Sequence, residues 1–187
     1  MNSEKKKIYI TGVSGFIGSR LAKLCLNRGF NVVGITRSAA TEVRQKLGIE
    51  VIEADLNDKN DLVLHSAEAI IHCATANDIL SKKLSDGLSL SILGTSKILE
   101  ASKNAKISNI IFFSTAQVYG TELKGYYDEG TTVDCKSSYA INHYLGEELC
   151  KFYCKAHDFN IVALRPSNVY GVPEINSVNQ KTLVPMC

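Results

Sequence analysis

Thr11-Gly12-Val13-Ser14-Gly15-Phe16-Ile17-Gly18 follows the apolar run Ile8-Tyr9-Ile10 and leads into a helical pattern. Strand, glycine-rich turn and helix start, in that order, form the turn that receives the pyrophosphate of a dinucleotide. The first glycine permits a tight turn at positive φ. The second lets the backbone approach a phosphate because it has no Cβ, and the third lets helix and strand pack closely. The helix N-terminus then offers free N–H groups and the positive end of its dipole to the anion. Glycines at this spacing also mark ordinary turns, but the flanking strand and helix are the context that phosphate binding requires.

Outward from this turn, strand and helix patterns alternate. Continuous apolar runs at 7–11, 31–36, 49–53, 69–73, 109–114 and 160–164 read as parallel strands buried on both faces. Between them, Ile17, Leu21, Leu24 and Cys25 form one helical stripe that Gly29 ends. Residues 39–47 read as a helix stopped by Gly48, and residues 57–65 as a short polar helix. Residues 86–104, with Leu88, Ile92, Thr95, Ile98, Leu99 and Ser102 on one face, read as a long amphipathic helix, and residues 138–155 as another. The repeated β-α units predict an α/β fold, a Rossmann-like doubly wound parallel sheet with right-handed crossovers. Residues 1–171 make up the dinucleotide-binding domain; residues 172–187 have no periodicity and read as the start of a substrate-binding region that is largely missing.

Bulk properties narrow the partners. The 187 residues are 45% hydrophobic and 21% charged, which suits one sizeable core. A net charge of +2 gives no electrostatic case for nucleic acid or a membrane surface. No apolar stretch approaches the length of a membrane span, and Lys5-Lys6-Lys7 reads as a solvated start to the first strand. The six cysteines are scattered without a C-x-x-C pair; Cys150 and Cys154 lie one helical turn apart with no matching His/Cys pair, so no metal site is expected. Scattered thiols suit a reducing, cytoplasmic location.

Later segments choose among dinucleotide-binding folds. Phe113-Ser114-Thr115-Ala116-Gln117-Val118-Tyr119-Gly120 follows the fifth strand, Tyr139 opens a helix about twenty residues on, and Leu164-Arg165-Pro166-Ser167-Asn168-Val169-Tyr170-Gly171 follows the sixth strand. Together with the glycine turn, this order resembles the extended short-chain dehydrogenase/reductase family, in particular its nucleotide-sugar epimerases, dehydratases and reductases. The resemblance covers nearly the whole chain and implies a role at each matching position. Gly12, Gly15 and Gly18 would wrap the pyrophosphate, with the Phe16 and Ile17 amides nearby. Asp55-Leu56 would sit against the adenine, Asp55 accepting from its amino group or serving as a helix N-cap. Cys73-Ala74-Thr75 would line the phosphate and ribose side, and Pro166, Ser167 and Asn168 the place where cofactor and sugar nucleotide meet. Thr115 would hold the reacting sugar oxygen. Tyr139 would move a proton as hydride passes between the sugar carbon and the nicotinamide.

The second strand ends Ile35-Thr36-Arg37-Ser38. The acidic residue that holds the adenosine ribose hydroxyls in NAD-preferring folds is absent. Arg37 suits a 2′-phosphate, so NADP is expected over NAD; the alternative is that Arg37 is a plain surface cation.

Three departures from the family pattern bear on activity. The family's Tyr-x-x-x-Lys reads Tyr139-Ala140-Ile141-Asn142-His143 here. At about 4 Å and an effective dielectric near 20, a fixed cation is worth roughly 4 kcal/mol to a tyrosinate, and a neutral imidazole does not supply it. Ser91 stands where the family has Asn, and the C-terminal region that forms most of the sugar-nucleotide pocket in relatives is expected to be largely missing from these 187 residues. Ala116-Gln117 after Thr115 replaces the Asp-Glu of the 4,6-dehydratases, which favours epimerase or reductase chemistry. The expected function is therefore an NAD(P)-dependent epimerase or reductase of a nucleotide sugar, weakened by His143; the alternative is a non-catalytic NADP(H)-binding protein. The helices at 86–104 and 138–155 resemble the pair that forms a dimeric four-helix bundle in this family, with Leu88, Ile92 and Leu99 as interface candidates. His65, His72 and His157 are expected to be structural.

Overall fold

Six parallel strands form one sheet in the order β3-β2-β1-β4-β5-β6: β1 (Lys7–Thr11), β2 (Asn31–Thr36), β3 (Glu50–Glu53), β4 (Ala69–His72), β5 (Asn109–Phe113) and β6 (Asn160–Leu164). This computed structural model describes residues 5–122, 125–171 and 174–175. The order runs outward in opposite directions from the β1–β4 boundary. That boundary is the topological switch point where open parallel sheets bind ligands beyond their C-terminal ends.

Alternation along the strands sorts their side chains onto two faces. Tyr9, Val33, Ile35, Ile70, Ile110 and Phe112 pack with Ile98 and Leu99 of α4 (Thr95–Asn104) and with Cys150 and Tyr153 of α5 (Ser138–Ala156). Ile8, Ile10, Val32, Val51 and Ile71 pack on the other face with Ala22 of α1 (Phe16–Asn27) and Ala40 and Val43 of α2 (Ala40–Leu47). Ile175 also packs into this second core.

Two helical expectations are corrected. Residues 57–65 form no helix: Asp55 Oδ1 accepts the Asn57 N–H at 2.9 Å and Asp58 Oδ1 accepts the Asn60 N–H at 3.1 Å. Short acidic side chains thus take the amides that a helix would use, and Asp55 caps a turn rather than a helix. Residues 86–104 are not one regular helix either. α3 (Leu84–Leu88) passes through a π-helical segment, Ser89–Gly94, into α4.

Before α4 the buried positions are Gly87, Ser91 and Gly94, while Leu88 and Ile92 are only half-buried. Close backbone approach explains this: a Cβ on Gly87 would lie 2.0 Å from Asn142 Nδ2 of α5. Leu99, an expected interface residue, is 1% exposed and belongs to the core. The exposed large apolar residues of these helices are instead Leu84, Leu93, Leu145 and Phe152. The expected boundary at residue 171 and the reading of 172–187 fall mostly outside the described residues. Among the described residues, no helix is long and apolar enough to cross a membrane.

Candidate active site

The glycine turn closes the gap between β1 and β4. Gly12 has φ +65, donates its N–H to the Ile35 carbonyl of β2 at 2.9 Å, and abuts the Cys73–Ala74 main chain, 3.0–3.1 Å from where a Cβ would stand. A Cβ on Gly18 would lie 2.3 Å from the Gly12 carbonyl oxygen, so only glycine lets α1 start this close to the turn. Gly15 sits at the N-cap of α1, where no side-chain cap forms and the first turn carries no acidic residue. The first turn of α1, with Phe16 and Ile17, therefore has no carboxylate that would compete with an anion. An acid-free, uncapped N-terminus behind a turn with no room for Cβ atoms fits a dinucleotide pyrophosphate.

At the end of β2, Ser14 Oγ of the glycine turn and Thr36 Oγ1 are hydrogen-bonded at 2.8 Å, and Thr36 Oγ1 donates to the Ser38 carbonyl at 2.7 Å. Arg37 and Ser38 are exposed beside this clasp, and no acidic side chain stands between Thr36 and Ala39. Leu56 is buried against Gly94 of the π-helical segment, whose missing Cβ makes room for it.

The C-terminal ends of β5 and β6 carry the second group of residues. Thr115 caps the 3-10 turn Ala116–Tyr119 by accepting the Gln117 N–H at 3.3 Å. Tyr139 lies in the first turn of α5, which Ser137 caps through the Ala140 N–H at 3.1 Å. Burial pushes the Tyr139 hydroxyl pKa up and the nearby Asp78 charge raises it further, while the neighbouring Thr115 hydroxyl lowers it. One turn on, the His143 ring stands with its centroid 4.5 Å from that of Tyr139. Burial holds the His143 pKa down at about 4, so the ring is neutral at pH 7. The main chain at Ala76 and Phe113 and the Glu147 charge pull the other way, yet among the described residues neither ring nitrogen completes a hydrogen bond. The buried Ser91 Oγ and Asn142 Oδ1 also lack partners.

The sequence reading missed a buried brace beneath these residues. Glu147, 1% exposed, continues the Tyr139–His143 spacing by one further i, i+4 step along α5. Its Oε1 accepts from Arg165 Nε at 2.9 Å and its Oε2 from Arg165 Nη2 at 2.6 Å, while the Ser114 hydroxyl also donates to Oε1. Arg165 Nη1 donates to the Tyr119 hydroxyl at 2.7 Å. The spacing Tyr139, His143, Glu147 was a readable signal for this brace.

Beside it, the Ala116 N–H donates to the Pro166 carbonyl at 2.9 Å, tying the Thr115 loop to the segment that leads to Asn168. Asn168 itself is exposed, and Gly171 packs against Arg20 of α1. The structure thus brings Thr115, Tyr139 and His143 together. Gly12 and Gly18 meet Cys73 and Ala74 at the switch point, while Arg37 lies at the end of β2.

A glycine turn at the switch point of a parallel sheet with helices on both faces is the feature of a dinucleotide-binding Rossmann fold. The chain belongs to the NAD dependent epimerase/dehydratase family, whose sequence model matches residues 8–185. It is 29% identical to the UDP-glucose 4-epimerase of Erwinia amylovora over 92% of this chain and 56% of that protein. It is 30% identical to the UDP-N-acetyl-alpha-D-glucosaminuronate decarboxylase of Bacillus cytotoxicus over 89% of this chain and 56% of that protein. Among solved structures, the UDP-glucuronic acid 4-epimerase of Bacillus cereus in complex with NAD superposes with a TM-score of 0.78 at 31% identity, covering 88% of this chain and 57% of that one. The UDP-glucose 4-epimerase of Thermotoga maritima with UDP-glucose gives 0.79 at 25% identity, covering 88% and 56%. The chain spans little more than half the length of these relatives.

Proposed function

We propose that this chain is the nicotinamide-dinucleotide half of an enzyme that epimerises or reduces a nucleotide sugar. The observation that carries this reading is the hydroxyl pair Thr115–Tyr139, set over the strand ends beside the glycine turn. Gly12, Gly15 and Gly18 with the Phe16 and Ile17 amides hold the pyrophosphate. Asp55 and Leu56 flank the adenine, and Cys73, Ala74 and Thr75 line the ribose side. Pro166 and Asn168 approach the nicotinamide and sugar. When bound, the dinucleotide supplies a hydride acceptor or donor. Thr115 orients the reacting oxygen, and Tyr139 holds and returns its proton. His143 offers the ribose a neutral donor in place of a fixed cation.

The exposed Arg37 and the absence of an acid at the end of β2 favour NADP over NAD, although the similar UDP-glucuronic acid 4-epimerase of Bacillus cereus was solved with NAD. The exposed Leu93, Leu145 and Phe152 are apolar residues through which two copies would pair, and a cytoplasmic site suits the free thiols. The neutral, buried His143 favours a second reading, a dinucleotide-binding protein without turnover.

Titration of the chain with NADPH and with NADH, followed by nicotinamide fluorescence and thermal shift, tests the cofactor reading. NADPH binding that is lost in Arg37→Asp is expected. Binding of neither dinucleotide overturns the proposal, and NADH preference overturns the Arg37 assignment. Interconversion of UDP-sugars with bound cofactor separates the enzyme from the silent binder.

A further inference from the structure

His72 ends β4 at 1% exposure, between the glycine turn and α4. Its Nδ1 lies 2.6 Å from Thr11 Oγ1, and its Nε2 lies 3.1 Å from Thr95 Oγ1. Thr11 Oγ1 also accepts the Cys73 N–H at 3.1 Å and the Ala74 N–H at 3.0 Å. A hydroxyl oxygen has one proton and two lone pairs. Two amides occupy the lone pairs of Thr11, so its proton points to His72 Nδ1, which must be bare. The remaining ring proton then sits on Nε2 and is donated to Thr95.

We propose that His72 is a positioning residue of the dinucleotide site, acting as its Nε2–H tautomer to hold Thr11 in the rotamer that clamps the Cys73 and Ala74 amides. The clamped peptide is the one that abuts Gly12, so the clamp sets the width of the cleft between the glycine turn and the β4 loop. Its other end, Thr95, is the first residue after the π-helical segment carrying Ser91. One imidazole therefore ties the phosphate turn to a helix that packs on α5, the helix carrying Tyr139 and His143. Complete burial keeps the ring neutral, with the His72 pKa pushed down to about 3, as the tautomer requires. A doubly protonated ring would present Nδ1–H to Thr11 and force its hydroxyl to release an amide.

This proposal rests on the dinucleotide reading, and its test separates the two. Nitrogen-15 NMR of the full chain, with the His72 signals assigned by their loss in His72→Phe, should show a bare Nδ1 and a protonated Nε2 at pH 7. The opposite tautomer or an imidazolium overturns the proposal, whatever the chain binds. In His72→Phe, amide exchange at Cys73 and Ala74 should accelerate by about tenfold relative to exchange at Ile10, and NADPH or NADH affinity should fall by about tenfold. His72→Asn, which keeps an acceptor near the Nδ1 position, should recover most of both. A uniform rise in exchange across β1 and β4, with unchanged affinity in the folded fraction, would reduce His72 to a packing residue and overturn the role. Should the wild-type chain bind neither dinucleotide, the cofactor reading fails, while the tautomer and the selective exchange still decide the clamp. If His72→Phe does not fold, Thr95→Val takes its place; no selective change at Cys73 and Ala74 would then count against the proposal.

Discussion

Glu147 takes both sides of the Arg165 guanidinium fork, at 2.9 and 2.6 Å, with side chains only 2% and 16% exposed. The pair joins α5 to the end of β6, and Ser114 brings in the end of β5. Three elements that carry Thr115, Tyr139 and Pro166 thus share one buried charge pair. Removing one partner leaves the other charge buried without compensation, a loss of about 3–5 kcal/mol. Arg165→Met should lower the unfolding free energy by that order in urea titrations. The double variant Arg165→Met/Glu147→Met should be less damaged than Arg165→Met alone. Equal damage in both would show that packing, rather than the unpaired carboxylate, dominates.

Gly18→Ala tests the glycine turn from the helix side. The added methyl would stand 2.3 Å from the Gly12 carbonyl oxygen and 3.0 Å from the Val13 Cα. Both neighbours are backbone, so relief requires moving α1 or the turn. A loss of about 1–3 kcal/mol is expected, together with dinucleotide affinity lower than the lost stability alone would give. Near-wild-type affinity would mean that the turn tolerates a wider spacing.

The sheet was legible because buried parallel strands leave continuous apolar runs, and all six appear within a residue of their expected ends, but the expectation of burial on both faces fails at the edge strand β6, which is largely exposed. The glycine turn was legible for a different reason: positive φ at Gly12 and the Gly18–Gly12 contact each demand a residue without Cβ. The stretch after β3 was misread because Asp55 and Asp58 spend their carboxylates on nearby amides, a local competition that helical periodicity does not register. The π-helical segment was hidden because Gly87, Ser91 and Gly94 are buried by the close approach of α5 and Leu56, not by their own hydrophobicity. The brace around Glu147 and the clamp around His72 depend on partners distant in sequence. Of the two, only Glu147 had a local signal, its i, i+4 alignment with His143.

The two buried histidines should make the fold sensitive to acid. His72 is held down at about 3 and His143 at about 4, against an ordinary value of 6.5. As pH falls through 6.5, the unfolded chain takes up protons at both positions while the folded chain does not. The unfolded state then binds more protons, so stability rises with pH in this window. Their contribution is complete above about pH 6.5 and is lost as pH falls toward 4. Between pH 5 and 6, His143→Phe should flatten the stability–pH slope by about 1.4 kcal/mol per pH unit, the value of one proton. An unchanged slope, measured by urea unfolding at several pH values, would mean that His143 titrates in the folded chain as it does in water.

His143→Lys addresses the activation of Tyr139 directly. Burial raises the Tyr139 pKa, and a neutral ring 4.5 Å away, centroid to centroid, does nothing to offset it. A lysine ammonium at about 4 Å stabilises a tyrosinate by roughly 4 kcal/mol at an effective dielectric near 20. The buried Glu147 charge one turn along α5 already acts on position 143 and would help keep such a lysine charged. Tyr139 should therefore titrate at lower pH in His143→Lys than in the wild type, read by ultraviolet difference titration against the matching Tyr139→Phe variants. Dinucleotide affinity should rise with it, since the lysine adds a charged donor for the ribose, and any epimerase or reductase turnover on a UDP-sugar should rise in parallel. A lower Tyr139 pKa without any turnover would favour the non-catalytic reading of this chain. No change in the Tyr139 titration would show that position 143 does not control the tyrosine at all.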